Sequence, residues 1–192
     1  MPTPPRTSLN EIVGAGRAIL EADGLDALTM ARVAESVGVR APSLYKRVRD
    51  RDALVRLIAA DVVTDLGATL DGAAASGDAR ADLGAIAVAF RGWAHRHPGG
   101  FALLFTRLPD AWRLDPDTGS SALTAMFRTV AALAGPDQVL EAARTVVAWS
   151  SGFVSMELAG AFQLGGDVDA AFAYGVERLA DAIAADGVDA RR

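Results

Sequence analysis

Cysteine is absent from the 192 residues, so the chain has no disulfide framework and no thiolate zinc site. Histidine occurs only at His95 and His97. On a helix such a pair lies about 200° apart and cannot share a metal ion without unwinding. His97, before Pro98, reads as a helix-end residue near the negative pole of the helix dipole. Tyr and Trp are sparse and β-branched runs are short, which with abundant alanine favours helix over sheet. No stretch approaches about 18 uninterrupted apolar residues, the length of a membrane span. Met1-Pro2-Thr3-Pro4-Pro5 lacks the apolar stretch of a signal peptide. The expected location is therefore the cytoplasm, with no membrane partner. Catalytic signatures are missing too: there is no Gly-x-Ser-x-Gly elbow and no Gly-rich phosphate loop followed by Lys. No catalytic residue, metal site or cofactor is expected.

What is present is a globular mix, 51% hydrophobic and 22% charged, enough to bury a core and to exclude wholesale disorder. The net charge of −5 argues at first against a polyanionic partner, but it is unevenly distributed. Residues 1–66 balance nine Lys/Arg against nine Asp/Glu, and residues 67–192 carry ten against fifteen. Within the first part, Arg40, Lys46, Arg47, Arg49, Arg51 and Arg56 face only Asp50 and Asp52, a local +4 in seventeen residues where a phosphate backbone can dock.

The fold class expected is all-α, with about nine helices and no strand. Ser8 with Glu11 has capping-box spacing, and Ile12, Ala15, Ile19 and Ala22 keep a helical period until Asp23-Gly24. Thr29 is the next N-cap, followed by an apolar stripe of Met30, Val33, Ala34 and Val37 that Gly38 ends. Pro42 opens a short helix through Arg47, and Asp50 caps a longer one with Ala53, Leu54, Leu57 and Ile58. A helix over Ala81–Arg96 is stopped by His97-Pro98-Gly99-Gly100. Phe101–Leu108 is short and apolar, and Pro109–Gly119 reads as loop. Further helices are expected over Ser121–Ala134, from Asp137 as cap through Ala161, and over Asp167–Ala185.

Thr29 to Val48 meets the physical needs of a helix-turn-helix. Ala34 is small enough for the second helix to approach the first, Gly38 permits a positive φ at the turn, and Leu44 packs the second helix down. Ser43, Lys46 and Arg47 are left facing outward.

At these residues the chain resembles the TetR family of tetracycline-repressor-like regulators. The likeness runs from about Ser8 to Ile58, through Leu28–Val39, Leu44-Tyr45-Lys46-Arg47-Val48 and Arg49-Asp50-Arg51-Asp52-Ala53-Leu54. It implies an N-terminal DNA-binding domain (1–66), joined by a long fourth helix to a ligand-binding and dimerisation domain (67–192). It also implies roles for individual residues. Thr29 and Tyr45 match phosphate-gripping hydroxyls, Arg51 matches a phosphate-contacting cation that is usually Lys, and Arg32 falls within the same DNA-facing motif. Arg40, Pro42, Ser43 and Lys46 line the base-facing end of the recognition helix, with Arg47 beside them, and an Arg there can pair bidentately with guanine. Ala31 and Ala41 depart from the tetracycline-type repressors, which carry polar base readers at those positions. Alanine offers only an apolar contact, such as with a thymine methyl.

Large apolar side chains gather in the second part: Phe90, Trp93, Phe101, Phe105, Trp112, Phe127, Trp149, Phe153 and Met156. The resemblance implies that the middle helices enclose an effector pocket and that the last two build a dimer interface. Ordinary core is the competing reading for each of these residues. Trp93-Ala94-His95 through Phe105, and Trp149-Ser150-Ser151-Gly152 through Leu158, resemble a subgroup with a Trp-His-Gly signature, although Ser151 stands where relatives often have His. Gly152, Ser155, Ala159 and Gly160 permit close helix approach across a dimer seam, with Phe172 on the following helix, or equally close internal packing. The function expected is a homodimeric regulator, a repressor of a double-stranded DNA operator released by a small, largely apolar effector. The alternatives are a helical DNA-binding or interaction protein without ligand response, or an all-helical enzyme.

Overall fold

The computed structural model describes residues 8–105, 109–112, 114, 118 and 123–189. Among them are nine α-helices and no strand: α1 (Leu9–Asp23), α2 (Met30–Ser36), α3 (Ala41–Tyr45), α4 (Arg51–Ala73), α5 (Ala79–Arg96), α6 (Pro98–Phe105), α7 (Thr124–Ala134), α8 (Val139–Leu158) and α9 (Val168–Asp189). Five of the eleven residues of the loop expected over 109–119, and the start of the helix expected from Ser121, lie outside the described residues. No helix among them is long and apolar enough to cross a membrane.

The chain divides into two compact units, residues 1–64 with 97–119, and residues 65–96 with 120–192. Residues 97–119, expected in the second domain, pack instead with the first unit. The reason is local. Gly99 lies so close to α1 that a Cβ there would sit 2.5 Å from the Leu20 carbonyl oxygen. The Glu21 carboxylate accepts from the N–H groups of Gly99 (2.8 Å) and Gly100 (3.1 Å), satisfying two orphan donors of α6. The glycines read as a helix stop are thus the first turn of α6, entered through Pro98.

In the first unit the expected caps form. Ser8 Oγ accepts from the Glu11 N–H at 3.1 Å while the Glu11 carboxylate accepts from the Ser8 N–H at 2.6 Å. Thr29 Oγ1 accepts from the Arg32 N–H at 3.2 Å, and Asp50 Oδ1 from the Ala53 N–H at 2.8 Å. Ile12, Leu28, Val33, Leu44, Val48 and Ile58 are fully buried and form the core.

The second unit packs Leu83, Met126, Val130, Ala134, Val146, Ala180 and Ile183 into one cluster, and Ala87, Phe172 and Val176 into another beside Trp149 and Phe153. The cap of α8 differs from expectation: a 3₁₀ turn over Pro136–Gln138 intervenes, and Asp137 does not cap the helix. The helix ends at Leu158 rather than Ala161 because Gly160 turns the chain at φ 64°. Asp167 does cap α9, its Oδ1 accepting from the N–H groups of Asp169 and Ala170.

Candidate nucleic-acid interface

The turn between α2 and α3 is made by Gly38 at φ 72°, with the Val39 N–H donating to the Ala34 carbonyl at 2.9 Å. Leu44 is the one fully buried residue of α3. With Leu44 anchored, Arg40, Pro42, Ser43, Tyr45, Lys46 and Arg47 are all exposed, and Ala41 is half-buried. Arg40 is the N-cap residue of α3, and Pro42 sits in its first turn, where a missing N–H costs nothing. Among the described residues Arg40, Lys46 and Arg47 have no ion-pair partner, so their charge is available to an outside anion. Thr29 uses an oxygen lone pair on its cap and keeps its hydroxyl proton to donate.

Two expected contact residues are engaged elsewhere. Arg32 is paired with Asp23 at 2.6 Å, on the surface. Arg51 is half-buried; its Nε donates to the Leu28 carbonyl (2.7 Å) and its Nη2 to the Leu25 carbonyl (2.8 Å), and the guanidinium lies 5.2 Å from the Trp112 ring centroid. It braces the base of α2 against the start of α4 rather than standing out toward a phosphate.

Phe101, Phe105 and Trp112 belong to the first unit, the two phenylalanines stacked at 4.9 Å, and Phe90, Trp93, Phe127, Trp149, Phe153 and Met156 lie in the second. Of these, Trp93 is fully buried with its indole N–H on Asp65 at 3.0 Å, and Met156 is exposed on the surface. Trp149, Phe153 and Phe172 pack as a ring cluster at 5.1 to 5.5 Å, with Phe162 on Phe153 at 4.7 Å. A cavity beside Trp149 and Ser150 holds only about 10 Å³, roughly one water.

Phe172, expected at the dimer seam, is 2% exposed inside this cluster and is not a surface residue. Gly175 lets the cluster close: a Cβ there would lie 2.0 Å from the Trp149 ring. Gly152, Ser155, Ala159 and Gly160 are all exposed.

Sequence reasoning missed a polar network that ties α5 to α8 and α9. The Arg91 guanidinium donates to Glu157, with Nε to Oε2 at 2.9 Å, and to Asp169 at 2.6 Å, and it lies 5.0 Å from the Phe172 ring. His95 Nε2 adds a contact to Glu157 at 2.9 Å. Hydrogen bonds from Arg91 first, and from His95, hold the Glu157 carboxyl down at about 2 against the opposing effect of burial. Arg91 and His95 are one helical turn apart, but nothing local in the sequence pairs them with Glu157.

Known proteins resemble this arrangement along its length. The family description "Bacterial regulatory proteins, tetR family" matches residues 12–58, and "Tetracyclin repressor-like, C-terminal domain" matches residues 83–179. An HTH-type transcriptional regulator of Mycobacterium tuberculosis, itself uncharacterized, is 33% identical over 182 residues, which are 92% of this chain and 82% of that protein. The chain belongs to the TetR family.

Solved structures agree with the TetR-family fold. A Rhodococcus sp. RHA1 protein of unknown function superposes with a TM-score of 0.79 at 25% identity, over 95% of this chain and all of that one. A TetR variant from Acinetobacter baumannii, solved with minocycline, gives a TM-score of 0.67 at 21% identity, over 92% and 96%. This TetR-family chain is therefore a DNA-binding transcriptional regulator and not an enzyme. Among its described residues no cluster of His, Asp or Glu could hold a metal ion.

Proposed function

We propose that the chain is a homodimeric repressor whose paired α3 helices read a palindromic operator and are released by a small, largely apolar effector. The observation that carries the reading is the exposed, unpaired set Arg40, Lys46 and Arg47 around a buried Leu44 anchor. In a two-fold dimer such helices enter successive major grooves roughly 34 Å apart. Arg40 and Lys46 contact bases, and Thr29, Tyr45 and Arg47 contact phosphates. Gly152, Ser155 and Ala159, exposed on and just past α8, support a seam at which a second copy approaches closely.

A fold neighbour holds minocycline, and the Trp149–Phe153–Phe162 cluster supplies apolar surface. The tight packing of that cluster favours a second reading, a DNA-binding protein with no ligand response.

Fluorescence anisotropy against the chain's own upstream DNA at two salt concentrations tests the proposal. Saturable binding that requires the palindrome, weakens steeply with salt and is lost in an Arg40→Ala/Lys46→Ala double variant supports it. Lys46 is the only lysine, so amine labelling reads this position directly. Undiminished labelling of Lys46 in the complex would remove it from the interface.

A further inference from the structure

Of the nineteen Lys and Arg residues in the chain, Lys46 alone is a lysine. Cysteine is absent as well, so one side-chain amine is present and no thiol competes with it for an electrophile. The guanidinium groups keep their protons and are not nucleophiles. Leu44 and Val48 are buried on either side of Lys46, and the Leu44 carbonyl accepts from the N–H groups of Arg47 (2.8 Å) and Val48 (3.0 Å). That turn is pinned to the core, and Lys46 stands exposed on it with no ion-pair partner among the described residues. The charge around it has one sign. Residues 36–49 contain no Asp or Glu, and Arg40 and Arg47, exposed and likewise unpaired among the described residues, flank the amine in that stretch. Such a field concentrates small dianions at the surface. An amine held in a patch that draws phosphates is suited to an electrophile that carries one.

We propose that Lys46 is an acceptor site for acyl phosphates, and that its acylation switches off operator reading. The ammonium first gives one proton to solvent. The free amine then attacks the acyl carbon: a C–N bond forms, the C–O bond to phosphate breaks, and phosphate leaves with the bonding pair and a second proton from the nitrogen. The amide that remains is neutral, so a charged donor is lost. A homodimer holds two such lysines, one at the end of each α3, and full acylation removes two cations from the DNA-facing surface. The switch rests on the operator reading above; the acceptor chemistry does not.

Acetyl phosphate is the probe. The full chain is treated with it in the absence of DNA, then with hydroxylamine to strip esters from the exposed Ser43 and Tyr45, and mapped by peptide mass spectrometry. Lys46 should acetylate about five-fold or more faster than Nα-acetyl-lysine amide, and salt at about 0.5 M should remove most of that advantage. The treated protein, its helicity unchanged by circular dichroism, should bind the chain's own upstream DNA about ten-fold or more weaker. Lys46→Arg, whatever its own affinity, should show no change on treatment. Acetylation no faster than that of the free amine, or indifferent to salt, overturns the site. An acetylated Lys46 that leaves DNA binding intact, while Arg40→Ala abolishes it, overturns the switch and leaves the operator reading standing. DNA binding that survives both changes removes the operator reading and the switch with it. A loss on treatment that is as large in Lys46→Arg places the sensitive group elsewhere and overturns the proposal too.

Discussion

The indole N–H of Trp112 donates to Asp52 Oδ1 at 2.7 Å across sixty positions of chain. The same ring lies under Arg51, whose guanidinium is spent on the Leu25 and Leu28 carbonyls. The Asp110–Trp112 turn, the start of α4 and the base of α2 are thus one braced corner of the first unit. Trp112→Phe keeps the ring and removes the donor. The expected loss is about 1 kcal/mol, because Asp52 is half-buried and water can partly replace the indole. Urea denaturation reads this directly. If Trp112 lined an effector site, the variant would instead shift effector affinity at unchanged stability.

Two glycines should respond to alanine with opposite signs. At Gly99 a Cβ meets the Leu20 carbonyl at 2.5 Å and the Glu21 Cα at 3.0 Å, backbone that cannot move aside cheaply. Gly99→Ala should cost about 1–3 kcal/mol and loosen α6 from α1. At Gly92 the only nearby atom is the end of the flexible Arg96 side chain at 3.3 Å. Gly92→Ala should stabilise by up to about 1 kcal/mol through helix propensity. Thermal melts of the two variants decide it: a Gly99→Ala protein as stable as wild type would refute the close α1–α6 approach.

How much of this was legible in the sequence depended on range. The capping box at Ser8–Glu11, the Thr29 and Asp50 caps and the Gly38 turn are signals of three or four residues, and the structure has each of them. The Leu44 anchor was legible because its partners repeat at helical spacing. Arg51 was misread because its acceptors are backbone carbonyls, which leave no mark in a sequence. Phe101, Phe105 and Trp112 were assigned to the wrong unit for a similar reason: composition shows that aromatics gather but not against which helix they pack. Asp137 looked like a cap, yet Pro136 at the head of a 3₁₀ turn displaced the start of α8.

The exposed residues of α8 separate a seam from a core. Under the homodimer proposal, Ser155→Arg places a long charged side chain where a second helix must lie, and light scattering should show a monomer of unchanged helicity. Phe172→Ala should behave differently, costing about 3–5 kcal/mol as a cavity in the protomer rather than acting on assembly. A Ser155→Arg protein that remains dimeric would move the seam off this face of α8.

Glu157 sets an acid limit on the second unit. Its carboxyl is held at about 2 against an ordinary 4.5, chiefly by hydrogen bonds from Arg91. The folded value is depressed, so the stabilisation is fully present above the unfolded value. It is lost as pH falls from 4.5 through about 2. The difference amounts to about 3 kcal/mol at most. Arg91 is raised by the same contact and stays charged throughout. Glu11, Asp50, Asp82 and Asp181 are lowered too and weaken the fold in the same acid range, so the wild-type slope alone does not isolate Glu157. The gap between wild type and Glu157→Gln does. At neutral pH the variant leaves Arg91, 18% exposed, with only the exposed Asp169, and should be about 3 kcal/mol less stable. In urea titrations that gap should narrow steadily below about pH 4.5, as wild-type Glu157 takes up its proton and the two proteins become electrostatically alike. A gap that stays constant down to about pH 3 would mean that the α5–α8 link holds through packing against Phe172 and not through the ion pair.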